Sequence, residues 1–417
     1  MIDFNQATFK DFENIPRMDI RQRSAIFCQF LEFMEENGHM NYRLLNETGC
    51  APEMKTRLTG SDNGETYISL VSNDYLGFTQ HPKVKQAAKD GIEKYGTGAG
   101  ASPLIGGHFE YHELLEKKIA AFFRKPADHS VIFTTGYTAN SASLLCLLQK
   151  EDLAIIDMAV HASVHEGCIL TNKKTFPHNN LESLEHILKI SKDKYRTKMV
   201  ITDGVFSQDG DVAPIADILY LTRKYGAYLM VDDAHGVGVI GQTGRGVLER
   251  TGLLDQVDFL TGTFSKTFAS IGGYVIANPD DIKFLKFQSR QQIFSATSAP
   301  SALGIVKAIE LIDEEPKWKD DLNKNMDYLK KGLTKLGLNV GTTESAIIPV
   351  KIGDPHKTGD AGRMLLERGI NANPILYPAV AKKDARIRMS LSATHTKEQL
   401  DKVLDAFDYI SKKLNLV

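Results

Sequence analysis

Long apolar runs are absent from this chain of 417 residues. None approaches the roughly 18–20 consecutive residues that a membrane-spanning helix needs, so we expect no transmembrane segment. The first residues, MIDFNQATFKDFENIP, mix acidic and apolar side chains. A signal peptide instead has a basic start followed by an apolar block. The sequence therefore predicts a protein that stays in the cytoplasm.

Cysteines are few, and neither sign of charge is in excess. Cys28, Cys50, Cys146 and Cys168 are scattered without a CxxC pair, which excludes a zinc ribbon or a disulfide scaffold and fits a reducing compartment. Lys and Arg number 50 against 52 Asp and Glu, for a net charge of -2. Because nucleic-acid binding needs a basic excess to displace counterions, we expect no nucleic-acid partner.

Three familiar binding motifs are also missing. No GxxxxGK[ST] loop occurs, which argues against a P-loop nucleotidase. The stretch GTGAG at 96–100 follows a helix-like segment rather than a strand, so it does not have the context of a dinucleotide-binding turn. His108 and His112 are four residues apart, but HFEYH is not the HExxH pattern of zinc enzymes, and we expect no metal site.

Three regions follow one another along the chain. Apolar residues near helical spacing predict a helical N-terminal arm over 1–65. Over 66–305, short apolar runs alternate with helix-length segments, which is typical of βαβ units and a mainly parallel sheet. The pattern over 306–417 predicts a smaller α+β domain. The runs predicted as strands are 66–70, 131–133, 153–156, 199–201, 228–231, 259–260 and 347–352, and the later helices are 302–312, 317–336, 361–368 and 397–414.

The segment GTFSKTFASIGG places one lysine, Lys266, among small and hydroxylic residues just after an apolar run. Small residues let a bulky ligand approach the backbone, and hydroxyl groups can donate to an anion. A partly desolvated lysine has a lowered pKa and becomes an amine that can form a Schiff base. An ordinary turn that contains a lysine is the alternative interpretation of this segment alone.

Other polar residues also follow apolar runs, where parallel sheets bind ligands. Asp232 ends such a run, and a buried carboxylate there needs a partner such as a pyridinium nitrogen, or serves as a helix cap. His235, three residues later, could donate to a phenolic oxygen. The turn at 134–140 could hold a phosphate at a helix start, or is an ordinary turn. His161 could stack on a flat ring, or is a structural loop residue.

Near the C-terminus, alternation places Arg386 and Arg388 on one face of a predicted strand. An arginine fork suits a carboxylate. The alternative is a solvated basic strand at the edge of a sheet.

Taken together and in this order, these segments resemble the fold-type I pyridoxal-phosphate (PLP) enzymes, and within them the α-oxoamine synthase family. The resemblance covers nearly the whole chain from about residue 65. It implies a mostly parallel seven-stranded sheet between helices, a smaller C-terminal domain and a homodimer with shared active sites. The phrases that carry it are SNDYLG (72–77), TGYTAN (135–140), HAS (161–163), TDGVFSQDGD (202–211), VDDAHGVGVIG (231–241), GTFSKTFASIGGY (262–274), FSATSAP (294–300) and RMSLSATHT (388–396).

The resemblance also implies roles for individual residues. Lys266 would form the Schiff base with PLP, Asp232 would pair with the pyridine nitrogen, and His161 would stack on the ring. The other implied cofactor contacts are His235 at the phenolic oxygen, Ser207 near the ring, and Gly136, Tyr137, Thr263 and Ser265 at the phosphate, with Thr297 reaching it from the neighbouring subunit. Asn73 and Arg388 would bind the amino-acid substrate, with Arg388 at its carboxylate.

The implied reaction is a decarboxylative condensation of a small amino acid with an acyl thioester, which gives a 3-oxo amine. YPAV at 377–380 and ATHT at 393–396 are similar to the serine palmitoyltransferase branch, which implies serine or cysteate and a long-chain acyl group for lipid biosynthesis. The alternatives are 8-amino-7-oxononanoate synthase and glycine C-acetyltransferase, and beyond them a non-catalytic subunit or an aminotransferase.

One departure from the family pattern leaves the substrates open. Family members commonly carry an arginine in a GSRF-like phrase, but this chain reads ASPLIGG at 101–107, with Pro103 in place of that charge. Glycine, alanine, serine and cysteate are all compatible amino acids. Coenzyme A and acyl carrier protein are both compatible carriers of the acyl group.

Overall fold

The computed structural model describes residues 2–417. The strands are β1 Leu45–Asn46, β2 Glu53–Arg57, β3 Glu65–Ser69, β4 Ser130–Phe133, β5 Leu153–Asp157, β6 Asn172–Phe176, β7 Lys198–Asp203, β8 Tyr228–Asp232, β9 Phe259–Thr263, β10 Gly273–Ile276, β11 Ile347–Gly353, β12 Ile370–Asn371, β13 Asn373–Ile375 and β14 Ala385–Ser390. The α-helices are α1 Ile20–Glu36, α2 Pro82–Tyr95, α3 Glu110–Phe122, α4 Gly136–Leu147, α5 Ala162–Gly167, α6 Leu181–Ile190, α7 Ile215–Lys224, α8 Val247–Thr251, α9 Pro279–Gln288, α10 Arg290–Phe294, α11 Leu303–Glu314, α12 Lys317–Lys335, α13 Pro355–Leu366 and α14 Lys397–Leu414.

Two compact units form within the chain. The larger unit comprises residues 73–207 and 211–322, and the smaller unit comprises residues 1–72, 208–210 and 323–417. The division predicted from sequence, with boundaries after residues 65 and 305, stays a prediction. Within residues 2–417, no helix is both long enough and apolar enough to cross a bilayer.

The larger unit is built on a seven-stranded sheet of order β4-β10-β9-β8-β7-β5-β6. Its strands are parallel except β10, which is antiparallel to both neighbours. Strands β4, β5, β7 and β9 are buried along their whole length, as expected for a parallel sheet covered on both faces. The predicted mostly parallel, seven-stranded sheet is therefore confirmed.

Helix α4 packs its inner face against this sheet. Ala139 and Leu144 on the helix are fully buried and join a core cluster with Phe133, Ile156 and Ile201 from the strands. Because this helix starts directly after β4, packing its apolar face also fixes the position of its first turn. The start of α4 therefore lies at the edge of the sheet where β5, β7, β8 and β9 end.

The smaller unit contains two sheets, of order β1-β2-β3-β12 and β11-β14-β13. All six residues of β14 are buried, and the strand is central in its sheet, so the alternative of a solvated basic edge strand is wrong. The charge of Arg386 is neutralised by Asp209, which also lies 2.7 Å from the Lys351 ammonium. Arg386 is thus an internal ion-pair residue of this unit.

The N-terminal arm contains the predicted amphipathic helix as α1, but it is not helical throughout, because its later part forms the strands β1 and β2. The Asp19 carboxylate caps α1 by accepting a hydrogen bond of 2.9 Å from the Gln22 N–H, which satisfies one of the free donors of the first turn. Phe12, Phe30 and Met34 form the buried centre of a small aromatic cluster. The Phe12 and Phe30 rings stack at 4.9 Å.

Directly after β8, the buried carboxyl group of Asp233 holds the loop that leads to α8. Its Oδ2 accepts a hydrogen bond of 2.6 Å from the Val247 N–H. A Cβ atom on Gly236 or on Gly246 would collide with this carboxyl group, and Gly246 also has a φ of +83°. Glycine is therefore required at both positions. Burial raises the pKa of Asp233 from its ordinary value of 3.8 to about 8.

This pKa makes stability depend on pH. Above the ordinary pKa the unfolded chain has lost the proton, whereas the folded chain keeps it until about pH 8. The stabilisation by the neutral side chain is therefore complete below the ordinary pKa and is lost as the pH rises towards 8, by at most about 1.4 kcal/mol per pH unit. In Asp233→Asn the side chain is neutral at every pH, so wild type should lose stability relative to this variant from pH 5 to pH 8.

The measurement is denaturant unfolding of the two proteins at several pH values in that window. Asp255→Asn is the matched control, because Asp255 carries an exposed carboxylate. Parallel stability curves for wild type and Asp233→Asn would contradict the assignment of a buried neutral acid.

Candidate active site

Most of the residues predicted to hold the cofactor come together at one edge of the large sheet. Asp232 is the last residue of β8. Gly136, His161 and Lys266 follow shortly after the ends of β4, β5 and β9, respectively. The carboxyl ends of parallel strands meet at a common edge, where ligands of open α/β sheets bind. All of these residues belong to the larger unit.

The Asp232 carboxylate is held by a buried network centred on Asn140. Asn140 Nδ2 donates to Asp232 Oδ2 at 2.6 Å and to Ser163 Oγ at 3.0 Å. Asn140 Oδ1 accepts from the Thr261 hydroxyl at 2.7 Å. The second carboxylate oxygen, Oδ1, accepts from the Ala234 N–H at 3.0 Å. Each Asp232 oxygen therefore has one protein donor and still has lone pairs for a further partner.

The His161 ring is held as a neutral imidazole. The Ser163 N–H donates to Nδ1 at 3.3 Å, and the Ser163 hydroxyl lies 2.8 Å from the same atom. An Nδ1 that accepts leaves the ring proton on Nε2. Burial lowers the pKa of His161, and the Lys266 charge lowers it further, against the opposing effect of Asp232. The Tyr137 ring packs edge-on against His161, with centroids 5.8 Å apart.

The start of α4 and the end of β9 form a group of donors. Thr135 caps the helix by accepting from the N–H of its third residue, so the first two N–H groups, of Gly136 and Tyr137, have no partner within the helix. The Thr263 and Ser265 hydroxyls lie 2.7 Å apart. A Cβ on Gly136 would lie 2.6 Å from the Thr263 Cβ, so glycine permits this approach. Backbone donors at a helix start together with hydroxyl groups suit a phosphate.

Lys266 lies in the tight turn between β9 and β10 and is half-buried. The turn is closed by the Ala269 N–H, which donates to the Lys266 carbonyl at 2.9 Å. Ala269 has a φ of +64°, a conformation that non-glycine residues adopt at a cost and that is found at functional sites. The neighbouring Thr267 hydroxyl donates to the Val237 carbonyl at 2.7 Å. Two hydrogen bonds therefore fix the backbone at the lysine and directly after it.

His235 is held by a tyrosine that the sequence analysis did not select. The Tyr75 hydroxyl lies 2.6 Å from His235 Nδ1 and 3.3 Å from Asn73 Oδ1. Tyr75 is fully buried. The predicted substrate residue Asn73 and the predicted cofactor residue His235 are thus joined through one phenol.

Three predicted residues are not part of this assembly as described. Ser207 lies four residues beyond the end of β7. Thr297 lines a separate cavity of about 310 Å³ together with Pro103, and its buried hydroxyl has no partner in the described chain. Arg388 lies on β14 of the smaller unit, where its Nη1 donates to the Ser390 hydroxyl at 2.9 Å. Their predicted roles stay predictions.

The residues present fit PLP. A phosphate needs several donors, and the N–H groups at the start of α4 together with the adjoining hydroxyls are such donors. A pyridinium nitrogen needs an anionic acceptor, and Asp232 has unused lone pairs beside a neutral His161. An aldehyde needs an amine, and Lys266 is close enough for its charge to act on the His161 ring.

The sequence analysis did not identify the residues that hydrogen-bond to the predicted site residues. Asn140, Ser163, Thr261 and Tyr75 touch Asp232, His161 or His235 directly or through one hydrogen bond. Two of them carried a signal, because Asn140 lies one helical turn after Gly136 and Ser163 two residues after His161. Thr261 and Tyr75 carried none, since their partners are distant in sequence.

Comparison with known proteins places the chain among PLP enzymes. The family model for aminotransferase class I and II matches residues 65–407. An 8-amino-7-oxononanoate synthase from Alkaliphilus metalliredigens (strain QYMF) is 42% identical over 358 residues, which are 85% of this chain and 90% of that protein. Another from Bacillus pumilus (strain SAFR-032) is 40% identical over 390 residues, 93% of this chain and 97% of that protein.

Among solved structures, Sphingomonas wittichii serine palmitoyltransferase matches with a TM-score of 0.89 at 29% identity, over 96% of this chain and 100% of that chain. A serine palmitoyltransferase structure that contains PLP matches equally well. The 8-amino-7-oxononanoate synthase from Francisella tularensis, at 22% identity and a TM-score of 0.72, supports the fold alone. The sequence comparisons favour the alternative activity over the serine palmitoyltransferase branch that YPAV and ATHT predict.

The Asn140 network generates a prediction. Asn140→Ala removes a donor from the Asp232 carboxylate and leaves the buried Thr261 hydroxyl without its acceptor. We expect a loss of about 2–3 kcal/mol in the free energy of unfolding, together with weaker binding of PLP. Denaturant unfolding and absorbance titration with PLP measure the two effects.

Ser143→Ala on the same helix is the matched control. Ser143 is as deeply buried as Asn140, but its hydroxyl has no partner within the described residues. Ser143→Ala should change neither the free energy of unfolding nor the affinity for PLP. If Asn140→Ala behaves like Ser143→Ala, the network does not hold Asp232.

Proposed function

This chain belongs to the α-oxoamine synthases, PLP-dependent acyltransferases of fold type I, and we propose that it condenses alanine with a heptanedioyl thioester to give 8-amino-7-oxononanoate. One observation carries the choice of substrates. The 8-amino-7-oxononanoate synthases are 42% and 40% identical over most of both chains, against 29% for serine palmitoyltransferase.

The substrates follow from the carbon skeleton of that product. It is a nine-carbon acid with an amine on C8 and a ketone on C7. In a decarboxylative condensation, C8, C9 and the nitrogen come from an amino acid that loses its carboxyl group, and that amino acid is alanine. C1–C7 come from a seven-carbon diacid activated as a thioester. Each turnover releases one CO2 and one thiol.

PLP, when bound, supplies an electron sink for negative charge at the substrate α-carbon. In the proposed assignment, the Asp232 carboxylate would accept a hydrogen bond from the protonated ring nitrogen and keep the proton there, and the neutral His161 would cover the ring and exclude water. The Gly136 and Tyr137 N–H groups, with the Thr263 and Ser265 hydroxyls, hold the phosphate.

Lys266 has two proposed tasks. Its Nζ would hold the cofactor at its aldehyde before the substrate binds, and, as a free amine once the substrate amine has taken that place, it would accept the proton from the substrate α-carbon as a general base. The turn that carries it is closed by its own hydrogen bonds, so the amine is presented from a fixed backbone. Arg388 is the proposed partner of the amino-acid carboxylate, since a buried guanidinium offers a planar fork to two oxygens.

A second candidate activity is the condensation of serine with a long-chain acyl thioester. It is favoured by the likeness to serine palmitoyltransferase, which extends over 96% of this chain with a TM-score of 0.89. The YPAV and ATHT phrases in the smaller unit also favour it. The two candidates differ in both substrates, and a direct assay separates them.

The proposal predicts which substrate pair releases thiol. With coenzyme A as the carrier, alanine and heptanedioyl-CoA should release free thiol and CO2 in equal amounts. Serine and palmitoyl-CoA should be turned over at a rate lower by about tenfold or more, because each pocket mismatch costs about 1–3 kcal/mol in the transition state. A thiol-reactive dye measures the release, and mass spectrometry identifies the aminoketone.

Lys266→Ala is the negative control, and Lys283→Ala is matched to it, because Lys283 is an exposed lysine on α9. Borohydride treatment should attach the cofactor to Lys266 in wild type and in Lys283→Ala. Faster turnover of serine and palmitoyl-CoA would select the second candidate. An oxo acid formed without thiol would select an aminotransferase, and no product with any pair would select a non-catalytic subunit.

A homodimer with shared active sites is also part of the proposal. The Thr297 hydroxyl is buried without a partner among residues 2–417. The segments that line its cavity carry exposed apolar side chains, with exposed fractions of 78% for Ile105, 56% for Phe287 and 80% for Phe294. Exposed apolar side chains of this size are typical of a surface that another protein covers.

The shared site predicts recovery of activity in mixed dimers. Lys266→Ala removes the amine, and Thr297→Asp places a negative charge beside the phosphate of the neighbouring subunit, so each parent should be inactive. A dimer with one chain of each kind contains one site with both native residues. Co-expression with two different tags and tandem purification isolates that dimer. Recovered activity is expected, whereas a mixed dimer as inactive as its parents would place Thr297 in the site of its own chain.

A further inference from the structure

A second buried carboxyl group, that of Asp203, lies beside Asp232. Asp203 ends β7 and is paired in register with Asp232 at the end of β8, so the two side chains project from adjacent strands about 4.8 Å apart. Asp203 is only 3% exposed. One hydrogen bond reaches its carboxyl group from the His161 N–H, and its Oδ1 has no partner among the described residues.

An ionised Asp203 would be costly at this position. A buried carboxylate oxygen without a donor loses its hydration and gains nothing in return. Asp232 and Asp157 add two further carboxyl groups nearby, which the Lys266 charge opposes in part. Burial, reinforced by the Asp232 charge, raises the pKa of Asp203 well above its ordinary value. The group is therefore a neutral acid that carries one O–H donor.

That donor needs an acceptor, and two carboxylates are available. Asp157 already accepts hydrogen bonds from the Ala159 and Asn179 N–H groups, at 2.8 Å each, and from the His178 ring. Asp232 has only one protein donor on each oxygen. Asp232 therefore has more unused acceptor capacity for the Asp203 O–H than Asp157 has.

We infer that Asp203 is a positioning residue, whose neutral carboxylic acid donates a hydrogen bond to the Asp232 carboxylate and fixes that carboxylate towards the cofactor ring nitrogen. The inference rests on the proposed role of Asp232 in cofactor binding. In this arrangement the paired acids carry one negative charge, which is the charge that one pyridinium nitrogen balances.

Two substitutions show whether position 203 must supply a hydrogen-bond donor or a negative charge. Asp203→Asn keeps the size and offers an N–H donor, whereas Asp203→Ala removes the donor. We expect Asp203→Ala to weaken PLP binding by about tenfold or more, the effect of losing one hydrogen bond to a charged group. Asp203→Asn should restore most of that affinity and keep the pH dependence of the cofactor absorbance. If Asp203→Asn is as impaired as Asp203→Ala, the inference is overturned, because the charge is then what matters.

Infrared spectroscopy of the apoprotein tests the protonation state without any turnover. A neutral carboxyl group gives a C=O stretch that is distinct from the carboxylate bands, and Asp203→Asn should remove one such component at neutral pH. Asp233→Asn is the matched control, because Asp233 is another buried neutral acid. It should remove a different component and leave the cofactor absorbance unchanged.

The outcomes distinguish this inference from the proposed function. An unchanged infrared spectrum in Asp203→Asn would show an ionised Asp203 and overturn the inference, whichever substrates the enzyme uses. If the infrared component disappears but neither variant alters PLP binding, Asp203 is neutral and does not position Asp232, which also overturns it. A wrong substrate pair in the thiol assay would leave both readouts intact.

Discussion

In the proposed function, the site depends on one buried carboxylate, that of Asp232, inside a largely apolar sheet. A buried charge is tolerated only when hydrogen bonds replace its hydration. Here the side chain of Asn140 and the N–H of Ala234 serve that purpose. Asn140 is in turn oriented by the Thr261 hydroxyl and joined to His161 through Ser163. The same network that stabilises the anion thus fixes the neutral ring beside it.

Glycine and hydroxyl residues at the strand ends meet a second requirement, that of close approach. A side chain at Gly136 would displace Thr263, and the donors at the start of α4 would then separate from those after β9. The positive φ of Ala269 lets the chain turn sharply after Lys266. Local backbone constraints after β4 and after β9 therefore fix both the set of donors and the turn that carries the amine.

The sequence predicted what depends on local pattern and missed what depends on distant pairing. The strand runs at 153–156 and 199–201 and the helix at 397–414 appear as β5, β7 and α14, because continuous burial and helical periodicity are local properties. Strand β6 was missed because its NKKTF sequence is charged and largely exposed at the sheet edge. The short β10 was missed because it is antiparallel and follows two glycines. Tyr75 could not be predicted, since its partner His235 is 160 residues away.

In the proposed function, the chemistry and the choice of substrate depend on different parts of the chain. The proposed acid, base and phosphate donors all belong to the larger unit, and short motifs there identify the cofactor. Arg388 and the YPAV phrase belong to the smaller unit, and Pro103 lines the cavity of Thr297. In the proposed function these residues are the candidates for setting substrate preference, and the network around Asp232 does not include them. For this reason the motifs identified the family readily, whereas overall identity was needed to favour one acyl donor over another.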